Sequence, residues 1–79
     1  MSEQEIAARI ELVFARVFGK RTRFSSEKSR LEEPQWTSLR HVEFLIGLER
    51  EFGVRFDGAD ATDMVSIPII VDRVRKKLP

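Results

Sequence analysis

The sequence predicts an all-α protein, a small four-helix bundle with three main helices and one short third helix. Three segments carry apolar residues at helical spacing, and no segment shows the strict apolar–polar alternation that is typical of a strand. A length of 79 residues gives room for a single core, so we expect one domain spanning residues 1–79. The sequence also contains no internal repeat and no low-complexity segment, which again favours one unit.

The first helix is predicted to run from Glu3 to Phe18. Ser2 and Glu5 have the spacing of a capping box, in which each side chain accepts a hydrogen bond from a free backbone N–H. The apolar residues that follow recur at helical spacing: Ile6, Ile10, Val13, Phe14, Val17 and Phe18. Gly19 comes next and favours the backbone conformation that ends a helix.

Residues 19–36 show no period and are predicted to form a long connecting loop. We expect Phe24, Leu31 and Trp36 to anchor this loop to the core. The loop also carries a run of basic residues: Lys20, Arg21, Arg23, Lys28 and Arg30. Two interpretations of this run stay open, a solvated loop and a phosphate-binding segment, and the second would allow the loop from Lys20 to Arg30 to bind nucleic acid.

Thr37 and Ser38 open the helix with the strongest apolar pattern, which is predicted to run to Phe52 and to end at Gly53. Its apolar residues fall into two stripes. The first stripe comprises Phe44, Leu45, Leu48 and Phe52. The second stripe comprises Leu39, Val42 and Ile46. A helix with two apolar stripes is either buried on two sides or offers one stripe to a partner.

The chain beyond this helix is predicted to contain an extended connector, a turn at Asp57 and Gly58, and a short helix within residues 59–65. Ser66 is a favourable N-cap for a last helix, and Pro68 fits its first turn. The apolar residues of that helix are Ile67, Ile70, Val71, Val74 and Leu78. Basic residues near its end suit the negative end of the helix dipole.

The residue types exclude several kinds of site. The absence of Cys excludes disulfides, zinc–thiolate clusters and thiol nucleophiles. His41 is the only His in the chain, and one His is too few for a His-based metal site. A single His also argues against a catalytic triad. Asp57, Asp60 and Asp63 are spaced by three, whereas a calcium loop places its ligands at alternate positions. We therefore expect no metal site and no catalytic residues, and predict a protein that is not itself an enzyme.

Composition also bounds the partners and the compartment. The chain has 14 Lys plus Arg against 13 Asp plus Glu, and this balance argues against a dedicated nucleic-acid binder. No apolar segment is long enough to cross a bilayer, and the polar, acidic N-terminal residues are unlike a signal peptide. We expect a cytoplasmic monomer with no nucleic-acid and no membrane partner.

The segment from Trp36 to Phe56 resembles the attachment region of acyl carrier proteins. In that family a Ser-Leu pair is followed by Glu five residues after the Ser, Leu-Glu ten and eleven after it, and Phe fourteen after it. The residues in this register are Ser38, Leu39, Glu43, Leu48, Glu49 and Phe52. The connector and the Ser-Ile opening of the last helix continue the register, so the resemblance covers nearly the whole chain. Trp36 with His41 is similar to a branch of stand-alone carriers from specialised biosynthetic clusters.

The resemblance implies that a phosphopantetheinyl transferase moves a 4'-phosphopantetheine arm from coenzyme A onto Ser38. The thiol of the arm would hold an acyl or aminoacyl group as a thioester for acyl-loading and acyl-processing enzymes of lipid, polyketide or other specialised pathways. The resemblance assigns the first stripe to the core and the second stripe, with Arg40 and Glu43, to partner docking. The resemblance also makes Thr37 and His41 candidates for contact with the phosphopantetheine arm. The alternative for His41 is an ordinary exposed position on the helix.

Two features depart from the family pattern. Thr37 stands where the family usually has Asp, and Arg40 and Arg50 interrupt a helix that is strongly acidic in typical carriers. Mixed charge favours partner enzymes with mixed-charge docking sites. Two alternatives stay open: Ser38 or Thr37 merely caps the helix, and the fold works without an arm as a protein-interaction module. Thr37 is the main support for the second.

Overall fold

The computed structural model describes all residues from Met1 to Pro79. It contains four α-helices and one short 3-10 helix: α1 (Glu3–Phe18), the 3-10 helix (Arg30–Glu32), α2 (Ser38–Phe52), α3 (Gly58–Asp63) and α4 (Ile67–Lys77). The all-α prediction and the small helical bundle are confirmed. An antiparallel bridge between Ser29 and Ser66 is isolated and forms no strand. None of the helices combines the length and the apolar character that a membrane span requires.

The helix ends follow from local side-chain chemistry. Each helix begins after a capping side chain: Ser2, Thr37, Asp57 and Ser66, in the order α1 to α4. Each of these side chains accepts a hydrogen bond from a backbone N–H that has no partner inside the helix. Gly19 and Gly53 end α1 and α2 at φ angles of 81° and 66°, which residues with a side chain rarely adopt. The predicted bounds of α1 and α2 are therefore confirmed.

The core is one cluster of 14 buried apolar residues. Its members are Ile6, Ile10, Val13, Phe14, Phe18, Trp36, Phe44, Leu45, Leu48, Phe52, Met64, Ile67, Ile70 and Val74. The rings of Phe14, Phe18, Trp36 and Phe44 form its aromatic centre, and every pair of these rings has centroids between 4.3 and 6.5 Å apart. All four residues of the first α2 stripe are buried, so its assignment to the core is confirmed.

The packing of α1 on α2 depends on a small residue at their contact. A Cβ atom placed on Gly47 would lie 2.7 Å from Cγ1 of Val13, far inside ordinary van der Waals distance. The two helices therefore approach closely at this point because α2 has no side chain there.

The long loop is anchored to the core, although not by all three predicted residues. Trp36 is buried, and Phe24 packs edge-on against Phe14 with ring centroids 5.4 Å apart. Leu31, however, is 96% exposed, so its predicted anchoring role is wrong. The side chain that turns inward from the 3-10 helix is Arg30, which is bonded to the Trp36 carbonyl, and its neighbour Leu31 points outward.

Backbone hydrogen bonds to the α3–α4 junction replace the missing apolar anchor. The Arg30 N–H donates to the Val65 carbonyl at 2.8 Å, and the Ile67 N–H donates to the Lys28 carbonyl at 2.8 Å. Two bonds between segments so distant in sequence fix the loop residues 28–30 against the start of α4. The loop before α2 is therefore held in one place next to the first residue of that helix.

Candidate functional site

Ser38 is the first residue of α2, and its side chain is exposed. The capping position is occupied by Thr37, whose Oγ1 accepts a hydrogen bond from the Arg40 N–H at 3.2 Å. The Ser38 hydroxyl is therefore not used to cap the helix, and it accepts a hydrogen bond from Nη2 of Arg30 at 3.1 Å. Of the two hydroxyl residues that open α2, Thr37 caps the helix, and the Ser38 hydroxyl contacts Arg30.

Arg30 is the side chain that sequence analysis missed at this site. The sequence places it in the basic run of the loop, for which a solvated loop and a phosphate-binding segment both stay open. In the structure its Nε donates to the Trp36 carbonyl at 3.1 Å and its Nη2 to Ser38. The basic run gave no signal of this, because Ser38 lies eight positions after Arg30 and no helical period connects the two. Only the fold of the loop brings the guanidinium to the hydroxyl.

The second stripe of α2 lies next to Ser38 and remains uncovered. Leu39, Val42 and Ile46 are 69%, 54% and 44% exposed, and they are three of the seven exposed large apolar residues of the chain. Their concentration on one helix face distinguishes them from scattered surface apolar residues. We call these three residues the α2 stripe.

The charged residues beside the α2 stripe are not equivalent. Glu43 is exposed and makes no side-chain hydrogen bond or ion pair within the chain. Arg40 is also exposed, but its Nη1 donates to the Val17 carbonyl near the end of α1. Arg40 therefore contributes to the contact between the start of α2 and the end of α1 as well as to the surface.

His41 lies in the interior, so the exposed position given as the alternative for it is wrong, and its contact with the arm stays a prediction. It is 6% exposed, and the Trp36 indole Nε1–H donates to its Nδ1 at 2.9 Å. Its Nε2 lies 2.8 Å from the Ala61 carbonyl and donates to it in the tautomer that satisfies both bonds. The spacing of His41 to Leu45, four residues, places it on the core side of α2, and this helical register is the sequence signal that identifies it.

Arg30 also lines an open groove of about 590 Å³. Its lining residues are Arg30, Leu31, Glu32, Glu33, Pro34, Trp36 and Val65, and we call it the loop groove. Glu33 is ion-paired with Lys28, whose Nζ lies 2.6 Å from Glu33 Oε1, and this bond lowers the pKa of Glu33. The exposed Leu31 gives this groove apolar surface, and Arg30, which contacts Ser38, is one of its lining residues.

The Asp residues of α3 are structural. Asp60 is buried and forms ion pairs with Lys77 Nζ at 2.9 Å and Arg73 Nη1 at 2.5 Å. The Lys77 bond, the backbone N–H of Asp57 and the Arg73 bond together hold the pKa of Asp60 well below its usual range. No group of three or more His, Asp or Glu side chains is placed to hold a metal ion. The cluster joins α3 to α4.

At the start of α2, the structure thus brings together an exposed hydroxyl, an arginine, an apolar groove and an exposed apolar stripe. Thr37 is the exposed cap of α2, and His41 is buried beside Trp36. No protein-family model matches this chain, and a search of curated proteins finds no relative.

Proposed function

We propose that this protein is a carrier that holds acyl or aminoacyl groups as thioesters on a 4'-phosphopantetheine arm attached to Ser38. One observation carries the proposal: Thr37 caps α2, so the exposed hydroxyl of Ser38 is not needed as the helix cap. The residues from Ser38 to Phe52 follow the register of acyl carrier proteins, and this register supports a phosphopantetheine arm as the group attached to Ser38.

The proposed attachment is a phosphoryl transfer in which the Ser38 Oγ attacks the phosphorus that bears the pantetheine of coenzyme A. The P–O bond of the anhydride breaks, the adenosine bisphosphate leaves, and the hydroxyl proton passes to the transferase. The product is a phosphodiester with a terminal thiol. The N–H groups of Ser38 and Leu39 have no partner within the chain, which favours a phosphate at this helix end.

The α2 stripe is the proposed docking surface for the transferase and for the acyl-loading and acyl-processing enzymes. It begins at Leu39, one residue beyond the modified serine, so a partner seated on it would have the arm at its edge. Exposed apolar residues flanked by charged ones are typical of protein interfaces. Glu43 and Arg40 on this surface have opposite charges, which favours partners with mixed-charge docking sites.

The experiment that tests the proposal is the intact mass of the protein after incubation with coenzyme A and a broad-specificity transferase. We expect the wild type to gain one phosphopantetheinyl group and Ser38→Ala to gain none. Ser26→Ala is the matched control, because Ser26 is an exposed serine in the preceding loop, and it should be modified like the wild type. A folded Ser38→Ala protein that still accepts the arm would refute the assignment.

A second function is favoured by the neutral Thr37 and the uncovered α2 stripe together. In this alternative the fold carries no arm and works as a protein-interaction module through Leu39, Val42 and Ile46. If several transferases leave the wild type and Thr37→Asp unmodified, the carrier proposal is wrong. Partner binding that is lost in Val42→Ser and retained in Ser38→Ala would then support the module.

A further inference from the structure

Arg30 places an uncompensated positive charge against the hydroxyl that the proposed function modifies. Its Nη2 is 3.1 Å from Ser38 Oγ, and no Asp or Glu oxygen lies within the 4.0 Å of an ion pair. Both acceptors of its guanidinium, the Ser38 hydroxyl and the Trp36 carbonyl, are neutral. Lys28, two residues earlier, is by contrast paired with Glu33 at 2.6 Å. The half-buried guanidinium of Arg30 therefore has no anionic partner, although an anion would stabilise its charge.

The position of this guanidinium is fixed before any ligand arrives. The Arg30 backbone N–H donates to the Val65 carbonyl at 2.8 Å, and the side-chain Nε donates to the Trp36 carbonyl at 3.1 Å. Trp36 itself is buried in the aromatic centre of the core. A side chain held at both ends loses little conformational entropy on binding, which makes it an effective binding group.

We propose that Arg30 binds the phosphate of the phosphodiester on Ser38, an inference that rests on the proposed carrier function. Attachment replaces the hydroxyl proton with phosphorus, and the two non-bridging oxygens on that phosphorus share one negative charge. An arginine has five N–H donors, and the Trp36 and Ser38 contacts use two of them. The remaining donors hold the phosphate, and the guanidinium neutralises its charge.

The neutral side chain of Thr37 is part of the same arrangement. Arg30 contacts both neighbours of Thr37, namely the carbonyl of Trp36 and the hydroxyl of Ser38. A carboxylate at position 37 would add a negative charge between these two contacts in sequence, and Thr37 adds none. Of the acidic residues in the loop groove, Glu33 is already neutralised by Lys28, and Glu32 is exposed. The chain thus combines an arginine that is free to bind phosphate with a cap that has no charge.

Phosphorus NMR of a chain with phosphoserine at position 38 tests this inference without any transferase. The second pKa of phosphoserine, ordinarily about 6, should be lower by roughly 0.5 with Arg30 than in Arg30→Gln, because the cation stabilises the dianion. Arg30→Lys should retain part of the effect, since it keeps the charge and loses the planar fork. Arg55→Gln is the control, because exposed Arg55, in the connector after α2, makes no side-chain hydrogen bond or ion pair.

The same variants carrying the arm give the second readout. Attachment should raise the melting temperature of the wild type and of Arg55→Gln by about 4 °C more than that of Arg30→Gln, and high salt should reduce this difference. Equal phosphoserine pKa values in the wild type and Arg30→Gln, with both folded by circular dichroism, would overturn the inference. A wild type that accepts no arm but shows the phosphoserine difference would instead refute the carrier function and leave an Arg30 phosphate site.

Discussion

Thr37 and Ser38, the two hydroxyl residues at the start of α2, differ in structural role, and the stability of their alanine variants distinguishes them. Thr37→Ala removes the oxygen that accepts the Arg40 N–H, so the free energy of unfolding should fall by about 1 kcal/mol. Ser38→Ala removes only an exposed contact with Arg30 and should change it by less than about 0.5 kcal/mol. Urea unfolding followed by circular dichroism measures both values. The reverse order would make Ser38 the cap and remove the main support for its modification.

Single residues are where sequence and structure differ most at this site. Ser38 and the α2 stripe could be predicted, because they follow from a register within one helix. Arg30 and Leu31 could not, because the direction of each side chain in the loop depends on which of them bonds to the Trp36 carbonyl. His41 could have been assigned to the core from its helical register, but its polar ring obscured that position. A polar side chain is buried when partners satisfy it, and sequence does not contain those partners.

The bounds of α1 and α2 were predicted closely because residues near each end determine where the helix begins and stops. The caps before α1 and α2 and the glycines after them lie within a few residues of the bounds they determine. The short 3-10 helix Arg30–Glu32 was not predicted. Ser29 caps it locally, but three residues give no apolar period, and its place in the fold depends on a backbone bond to the distant Val65. Elements with side-chain caps and a long apolar period can be read from sequence, and elements held by tertiary bonds cannot.

The contact between α1 and α2 gives a prediction about packing. Gly47→Ala improves helix propensity by about 1 kcal/mol, but its methyl group would lie 2.7 Å from the buried, β-branched Val13. We expect the clash to prevail and the free energy of unfolding to fall by about 1 to 3 kcal/mol. Urea unfolding of Gly47→Ala, Val13→Ala and the double variant measures the coupling. A smaller combined loss than the sum of the single losses supports the steric cause, and strict additivity contradicts it.

The stability of the whole molecule should depend on acid through the ion pairs of Asp60. Because the bonds from Lys77, Asp57 and Arg73 hold the pKa of Asp60 below its ordinary value of 3.8, the unfolded chain binds the proton first as pH falls. This contribution is therefore complete well above pH 3.8 and is lost progressively below it. Asp60→Asn should lower the free energy of unfolding by about 1 to 3 kcal/mol at pH 7 and by less at pH 2.5, where part of the contribution is lost.

The matched control for this acid dependence is Asp63→Asn. Asp63 lies on the same helix, but its side chain is 58% exposed and its single ion pair, to Arg73, measures 3.5 Å. Loss of such a pair should change the free energy of unfolding by less than about 1 kcal/mol at either pH. Urea unfolding at both pH values compares the two variants. If Asp60→Asn is equally destabilising at both, the ionised carboxylate is not the source of the effect.

The burial of Trp36 has an optical consequence for the whole molecule. Trp36 is the single tryptophan, and the chain has no tyrosine, so all indole emission comes from one ring. That ring is 3% exposed, is bonded to His41 in the interior, and lies two residues before Ser38. Its carbonyl also holds Arg30. The fluorescence of the unlabelled protein therefore reports from inside the core on the residues where an arm would be attached, and a shift in its emission maximum would register a rearrangement there.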